Sequence, residues 1–215
     1  MKYTSTSLSK IKIPTSVVCD SCDDLGITPK VLPRNFHPNK EGFHISGLVR
    51  TLEVVKHLEK DVRLYDSLKI FHSLNKDDII VVSNDQENLS FWGELNTRLA
   101  LQYQAQATVV GSVTRDSFQT KRLNYPVFSL GNSPLDVRCR AIVKSINSKI
   151  IISGIAIYPE DWLVGDDDGL VVVANRNIDR VYTRCLDIIS IEKDIISEIN
   201  KKMCPLEIYK KYGNF

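Results

Sequence analysis

Gly93-Glu94-Leu95 and Arg115-Asp116 are the residues of this chain whose types could act together on a small anion. A glycine and a glutamate opening a helix present backbone N–H groups that lack intrahelical partners, and such a terminus receives a carboxylate well. Gly93 has no Cβ to hold a ligand off that backbone. Arg115 offers a planar fork for a carboxylate or an enolate. Asp116 offers a hard oxygen for magnesium, which takes a few carboxylates and keeps several waters. A helix N-terminus, an arginine and two carboxylates are the parts that a metal-assisted site for a small 2-oxo acid requires. Each also has an ordinary reading: Glu94 suits the dipole of any helix start, and a surface Arg-Asp pair contributes little.

Several elements must position these groups. Ser90 is a candidate N-cap for a helix through about residue 105, with Phe91, Leu95, Leu99 and Tyr103 on one face. A strand from Ala107 to Val113 then delivers Arg115 to a strand-to-loop junction, where function often sits. Upstream, Pro14-Thr15-Ser16 opens a short helix closed by Gly26. Residues 27–44, with Pro29, Pro33, Pro38 and Gly42, read as an extended loop, and Ile45, Gly47, Val49 and Leu52 alternate as a strand. Asp61 to Leu74 reads as a helix and Ile79 to Val82 as an apolar strand. Further strands are expected at Val127 to Leu130, Arg140 to Ile146 and Ile150 to Ile157. Trp162 to Gly165 should pair with Leu170 to Ala174 across the turn Asp166-Asp167-Asp168-Gly169. Ile178 to Lys201 is the longest helix, and Glu192 falls within its apolar stripe, where a carboxylate needs a partner. The alternation of strands and helices is of α/β type, and 215 residues suffice for one folded unit with its own core.

Composition narrows the partners. Lys and Arg number 28 against 26 Asp and Glu, scattered along the chain, so no electrostatic stripe awaits a phosphate backbone and nucleic acid is not expected. The longest apolar runs are a few residues, far below the roughly 20 that cross a bilayer, so no membrane span is expected either. The N-terminus lacks the apolar stretch of a signal peptide, and the five cysteines form an odd, spread set, which together point to a cytoplasmic protein with reduced thiols. Cys19 and Cys22 have the spacing of half a zinc site or a redox pair. No second pair accompanies them, so a structural role is expected. His37, His44, His57 and His72 show no ligand spacing, and no Gly-x-Ser-x-Gly elbow, P-loop or dinucleotide fingerprint is present.

The spacing of the two short motifs, with 20 residues between Glu94 and Arg115, resembles the signature of the RraA-like family, which includes 4-hydroxy-4-methyl-2-oxoglutarate aldolases and the regulator of ribonuclease activity A. Thr15-Ser16-Val17-Val18-Cys19-Asp20 is similar to that family's opening helix, and Tyr125-Pro126-Val127-Phe128 to a later segment. Pro159-Glu160-Asp161 with Gly165 to Val173 resembles its late strand pair. The resemblance implies an α/β fold, a layered β/β/α swivelling domain, spanning residues 1–215 as a single unit with 1–13 an N-terminal arm and 202–215 a C-terminal tail. It implies a homotrimer or hexamer with sites between subunits.

Carried over by position, it implies that Asp116 binds a divalent cation, Mg2+ or another such as Mn2+. Arg115 would hold the carboxylate of a pyruvyl substrate with the Gly93 and Leu95 amides. Glu94 would hydrogen-bond water on the metal, and Glu192 would arrive from a neighbouring subunit as a further carboxylate. The activity implied is that of a lyase, an aldolase or decarboxylase working through a pyruvate enolate. The alternative is a non-catalytic regulator binding a ribonuclease or another protein. Gly111-Ser112-Val113-Thr114 stands where the family usually has Asp-Gly-Ala-Val, and Pro159-Glu160-Asp161 replaces a common Pro-Gly-Asp, so the substrate could differ from that of the known aldolases.

Overall fold

Side chains alternate across a strand, and in this chain both faces of the central strands are apolar, which decides how the layers stack. The computed structural model describes residues 3–57 and 64–213. In chain order the elements are α1 (Ser5–Leu8), α2 (Thr15–Asp24), β1 (Lys30–Val31), β2 (His37–Pro38), β3 (Ile45–Lys56), a 3-10 turn (Leu64–Leu68), α3 (Lys69–His72) and β4 (Ile79–Asn84). Then come α4 (Glu94–Gln102), β5 (Ala107–Val110), α5 (Ser117–Arg122), β6 (Val127–Ser129), β7 (Ala141–Ile146), β8 (Ile150–Ile152) and β9 (Ile155–Ile157). The hairpin β10 (Trp162–Asp166) and β11 (Gly169–Val173), the long helix α6 (Ile178–Asn200) and α7 (Pro205–Tyr212) complete the chain.

One sheet runs in the order β1-β11-β10-β3-β4-β5-β6-β2, with β7 also on β3. The steps β3-β4, β4-β5 and β5-β6 are parallel, whereas β10 and β11 pair antiparallel, Trp162 opposite Val173. The 12-residue β3 joins the halves: Ile45 to Leu48 pair with β10, and Val49 to Val54 with β4. The sheet curls so that its two halves face each other.

The period-2 alternation then sorts residues into three cores. Leu163, Leu170 and Val172 from one half meet Ile79, Val81, Val109 and Phe128 from the other inside the curl, closed by Ile150, Ile152 and Ile157 of the β8-β9 hairpin. Trp162, Val164, Val171 and Val173 point outward against Val17, Val18 and Cys22 of α2 and Val181 and Cys185 of α6. Ile80, Val82 and Val110 point outward on the other half, against Ile70, Phe71, Ala100 and Trp92. Each face is therefore dry, which explains why β4 and β10 read as nearly unbroken apolar runs. The N-terminal stretch also packs: Leu8 and Ile13 are fully buried, and Ser5 Oγ donates to the buried Asp78, which receives Arg50 Nε at 2.7 Å.

Several expectations from sequence need correction: the strand expected to reach Val113 ends at Val110, the loop over 27–44 contains the short strands β1 and β2, the C-terminal tail contains α7, and four further differences have clear causes. The helix expected after a Ser90 cap begins only at Glu94, because Ser90 is extended, with its hydroxyl donating to the Ser133 carbonyl at 2.6 Å. Ile150 to Ile157 is two strands rather than one, folded at Ser153-Gly154, whose φ values of 49° and 82° are those of a tight hairpin turn. The helix expected over Asp61 to Leu74 is a 3-10 turn followed by the four-residue α3, and Asp61 to Arg63 lie outside the described residues. Glu192 is exposed within the single chain, since only Ile178, Val181, Cys185 and Ile195 of α6 are buried; its carboxylate therefore needs no intrachain partner.

Candidate functional site

The loops after β4, β5 and β6 leave the carboxyl ends of three adjacent parallel strands, the place where open α/β sheets hold ligands. They stay in register beyond the strands: Trp92 bridges Thr114, Thr114 bridges Asn132, and Ser90 bridges Asp136. Arg115 N–H donates to the Trp92 carbonyl at 2.9 Å, and Thr114 N–H to Gly131 at 2.9 Å. Trp92 anchors the first loop. Its ring is buried against Phe71, and its indole N–H donates to Thr97 Oγ1 at 3.0 Å.

This registration fixes where the two motifs meet. Gly93 is the N-cap of α4, and the Glu94 N–H, one of the helix's unpaired first-turn donors, reaches Asp116 Oδ2 at 3.0 Å. Asp116 itself is the left-handed N-cap of α5, with φ 55° and ψ 35°, a conformation that aspartate tolerates better than most residues. A Cβ on Gly93 would fall on Asp116 Oδ2 and lie 3.0 Å from Arg115 Cγ, so only glycine leaves room for this approach. Arg115 Nε stands 3.7 Å from Asp116 Oδ2, and its Nη1 donates to Asp136 Oδ2 at 2.7 Å. A cavity of about 330 Å3 opens over these groups, lined by Gly93, Leu95, Arg115 and Asp116 and by apolar walls that include Phe91 and Val137. Its size is at the small end of the range for ligand pockets.

Gly93, Leu95, Arg115 and Asp116 are thus brought together, and Glu94 joins them through its backbone. The Glu94 side chain does not line the cavity. It accepts from Arg98 Nε at 2.9 Å and Nη2 at 2.7 Å, an i,i+4 pair along the helix. Glu192 is not at this cavity within one chain. It lines a separate groove of about 360 Å3 between α2, α6 and α7, beside Asp20, Asp23 and Arg184. Asp136 and Arg138 line the site without having been marked by the sequence, because no spacing links them to either motif and the Ser90 bridge that places Asp136 is a tertiary contact.

The donor set suits a hard, hydrated cation. Among the described residues there is no group of three or more His, Cys, Asp and Glu side chains that could hold a metal ion, and the carboxylates lining the cavity are those of Asp116 and Asp136. Cys19 and Cys22 lie on α2 away from the cavity. Burial pushes the Cys22 thiol, and that of Cys185 on α6, up from 9.0 to about 11, as expected of inert core thiols. Among the described residues no helix is long and apolar enough to cross a membrane.

Comparison with known proteins identifies a family. The RraA-like model, described as Aldolase/RraA, matches residues 15–172, from α2 to β11 and including every cavity residue. The "Putative 4-hydroxy-4-methyl-2-oxoglutarate aldolase" of Halalkalibacterium halodurans is 28% identical over 174 residues, which are 80% of this chain and 78% of that one. The protein DlpA of Legionella pneumophila is 26% identical over 190 residues, 88% of this chain, and this chain spans only 31% of that longer protein. The crystal structure of Streptomyces coelicolor RraAS2, an unusual member of the RNase ES inhibitor RraA protein family, superposes with a TM-score of 0.74 at 21% identity, covering 84% of this chain and 90% of that one. The curled sheet and its flanking helices are those of these structural neighbours, and with a family model matching most of its length the chain belongs to the RraA-like family.

Proposed function

We propose that this protein is a divalent-metal-dependent lyase for a small 2-oxo acid, acting by retro-aldol cleavage of a 4-hydroxy-2-oxo acid or by decarboxylation of an oxaloacetate-type substrate. The observation that carries the reading is the convergence of the Arg115 guanidinium, the Asp116 carboxylate and the N-terminus of α4 on one cavity. Asp116 would hold the cation, Mg2+ or Mn2+, in the cradle left open by Gly93. A divalent ion bound there supplies Lewis-acid polarisation of the 2-oxo group.

Arg115, fixed on Asp136, would present its remaining N–H groups to the substrate carboxylate, and the Gly93 and Leu95 amides at the head of α4 would add donors, the Glu94 N–H being taken by Asp116. In the cleavage reaction the C3–C4 bond breaks and its electron pair passes to C3, giving the enolate of pyruvate. The C4 hydroxyl loses its proton and C3 later gains one. In the decarboxylation the C3–C4 bond breaks in the same sense, and carbon dioxide leaves. Glu94, released from Arg98, or Glu192 of a partner subunit would carry the proton. The exposed Ile196 and Ile199 of α6, with Ile191 in the groove beside Glu192, support a trimeric or hexameric assembly in which this helix meets another copy.

The test is pyruvate release from oxaloacetate and from a 4-hydroxy-2-oxo acid, with and without Mg2+ or Mn2+. Turnover that needs the cation and is abolished in Asp116→Asn supports the reading, and unchanged turnover in Asp116→Asn refutes the role of Asp116. A second reading, a non-catalytic regulator, is favoured by one feature: Arg98 draws the Glu94 carboxylate out of the cavity, whose lining carboxylates are then Asp116, assigned to the cation, and Asp136, held by Arg115. Co-purification of a ribonuclease together with no metal-dependent turnover on 2-oxo acids would favour it.

A further inference from the structure

Arg115 lies between two carboxylates, and the fold treats them differently. Its Nη1 makes a full charge-assisted hydrogen bond of 2.7 Å to Asp136 Oδ2, while its Nε stays 3.7 Å from Asp116 Oδ2, beyond hydrogen-bond distance. We infer that Asp136 is a positioning residue that holds Arg115 off Asp116 and thereby keeps the Asp116 carboxylate open to a cation. The inference rests on the proposed role of Asp116 as the cation-holding residue.

Asp136 is placed by the backbone and not by Arg115. It is bridged to Ser90, Val137 N–H donates to the Ser90 carbonyl at 3.3 Å, and its Oδ1 accepts the Arg138 N–H at 3.1 Å. The Arg138 guanidinium stands 4.0 Å from Asp136 Oδ2 and is 76% exposed, so it flanks this carboxylate without holding it. Arg115 is about a third exposed and has room to move. Without the negative charge of Asp136, the remaining carboxylate within reach is Asp116, and a shift of roughly 1 Å would complete that ion pair at hydrogen-bond distance. An arginine seated there would occupy the oxygen offered to the metal. It would also turn its fork away from the substrate carboxylate. Asp136 thus serves both halves of the site while touching neither ligand.

The experiment is a double-mutant cycle read by calorimetric binding of Mn2+ alone to the full chain in four forms: wild type, Asp136→Asn, Arg115→Met and the double variant. Asp136→Asn should weaken Mn2+ binding about tenfold when Arg115 is present and by less than about twofold when it is methionine, the coupling expected of neighbours acting through one another. Asp136→Glu should restore most of the affinity. An equal loss in both backgrounds would mean that Asp136 acts only as a charge through space, and would overturn the inference while leaving Asp116 as the ligand. No Mn2+ binding to the wild-type protein would overturn the role of Asp116 itself and this inference with it. Side-chain NMR of the metal-free protein gives an independent arm: the Arg115 Nε–H signal should be rigid in the wild type and in Asp136→Glu but shifted or mobile in Asp136→Asn. An unchanged Arg115 signal in Asp136→Asn would overturn the inference.

Discussion

Alanine at position 93 should separate the fold from the site. The φ of Gly93, −159°, is extended backbone that alanine also adopts, so the substitution introduces no backbone strain and acts only through its added methyl. That methyl would land on Asp116 Oδ2 and crowd Arg115 Cγ at 3.0 Å and Nε at 3.3 Å. The nearest atom is the free end of a side chain 39% exposed, so Asp116 can rotate out, retreating by roughly 1 Å to an ordinary contact. What folding loses is the Glu94 N–H···Asp116 hydrogen bond at the head of α4, worth about 1–2 kcal/mol, or a Tm lowered by about 2–8 °C for a chain of this length. What the site loses is larger, because a misplacement of about 1 Å in a catalytic group can cost about 10²-fold in rate. The assays are thermal unfolding, Mn2+ affinity and pyruvate release on the same preparation. A Gly93→Ala protein that melts within this range but keeps full turnover and metal affinity would refute the idea that the cradle beneath Gly93 holds the working carboxylate.

Arg115→Lys should cost about 10²-fold in kcat/KM for any 2-oxo acid turned over, since a lysine ammonium cannot grip Asp136 and a substrate carboxylate with one rigid fork. Glu192→Gln should leave Tm unchanged, because the side chain is exposed in the single chain, yet lower turnover if the partner subunit supplies it. Light scattering should then report a trimer or hexamer, and an active monomer would refute that arrangement. Burial raises the Cys22 and Cys185 thiols to about 11, so the folded state holds these protons more tightly than the unfolded chain. That stability is complete below about pH 9 and is lost as pH rises through about 11, the neighbouring Cys185 adding to the shift of Cys22. Thermal melts between pH 8 and 11 should therefore fall less steeply in Cys185→Ala than in the wild type.

The fold was legible where a pattern was local. β10 and β11 were readable because Trp162 to Gly165 and Leu170 to Val173 flank an aspartate-rich turn, and each alternate residue has its own core to enter. Gly93-Glu94 and Arg115-Asp116 are readable as a pair because their spacing resembles the RraA-like signature, and the register of Trp92 with Thr114 brings them together in space. Asp136 was not readable. It reaches Arg115 through the bridge to Ser90, a contact 46 residues away that leaves no periodic trace in sequence. The same tertiary bridge drew Ser90 into extended structure and overrode its preference as a cap, which moved the start of α4 to Glu94. The run of isoleucines from Ile150 to Ile157 hid a hairpin because apolar residues dominated the pattern, although Ser153-Gly154 was the local signal that could have revealed the turn. The helix α7 leaves little trace in the sequence because its eight residues carry only one buried side chain, Ile208, so the apolar period is too short to stand out.

The most direct test of the central claim is a crystal structure of the protein grown with Mg2+ and pyruvate. The account predicts the ion on the Asp116 carboxylate and the pyruvate carboxylate between Arg115 and the first turn of α4, inside the cavity bounded by Gly93 and Leu95. Both ligands absent from that cavity at saturating concentration, or bound on the groove beside Glu192 instead, would contradict it.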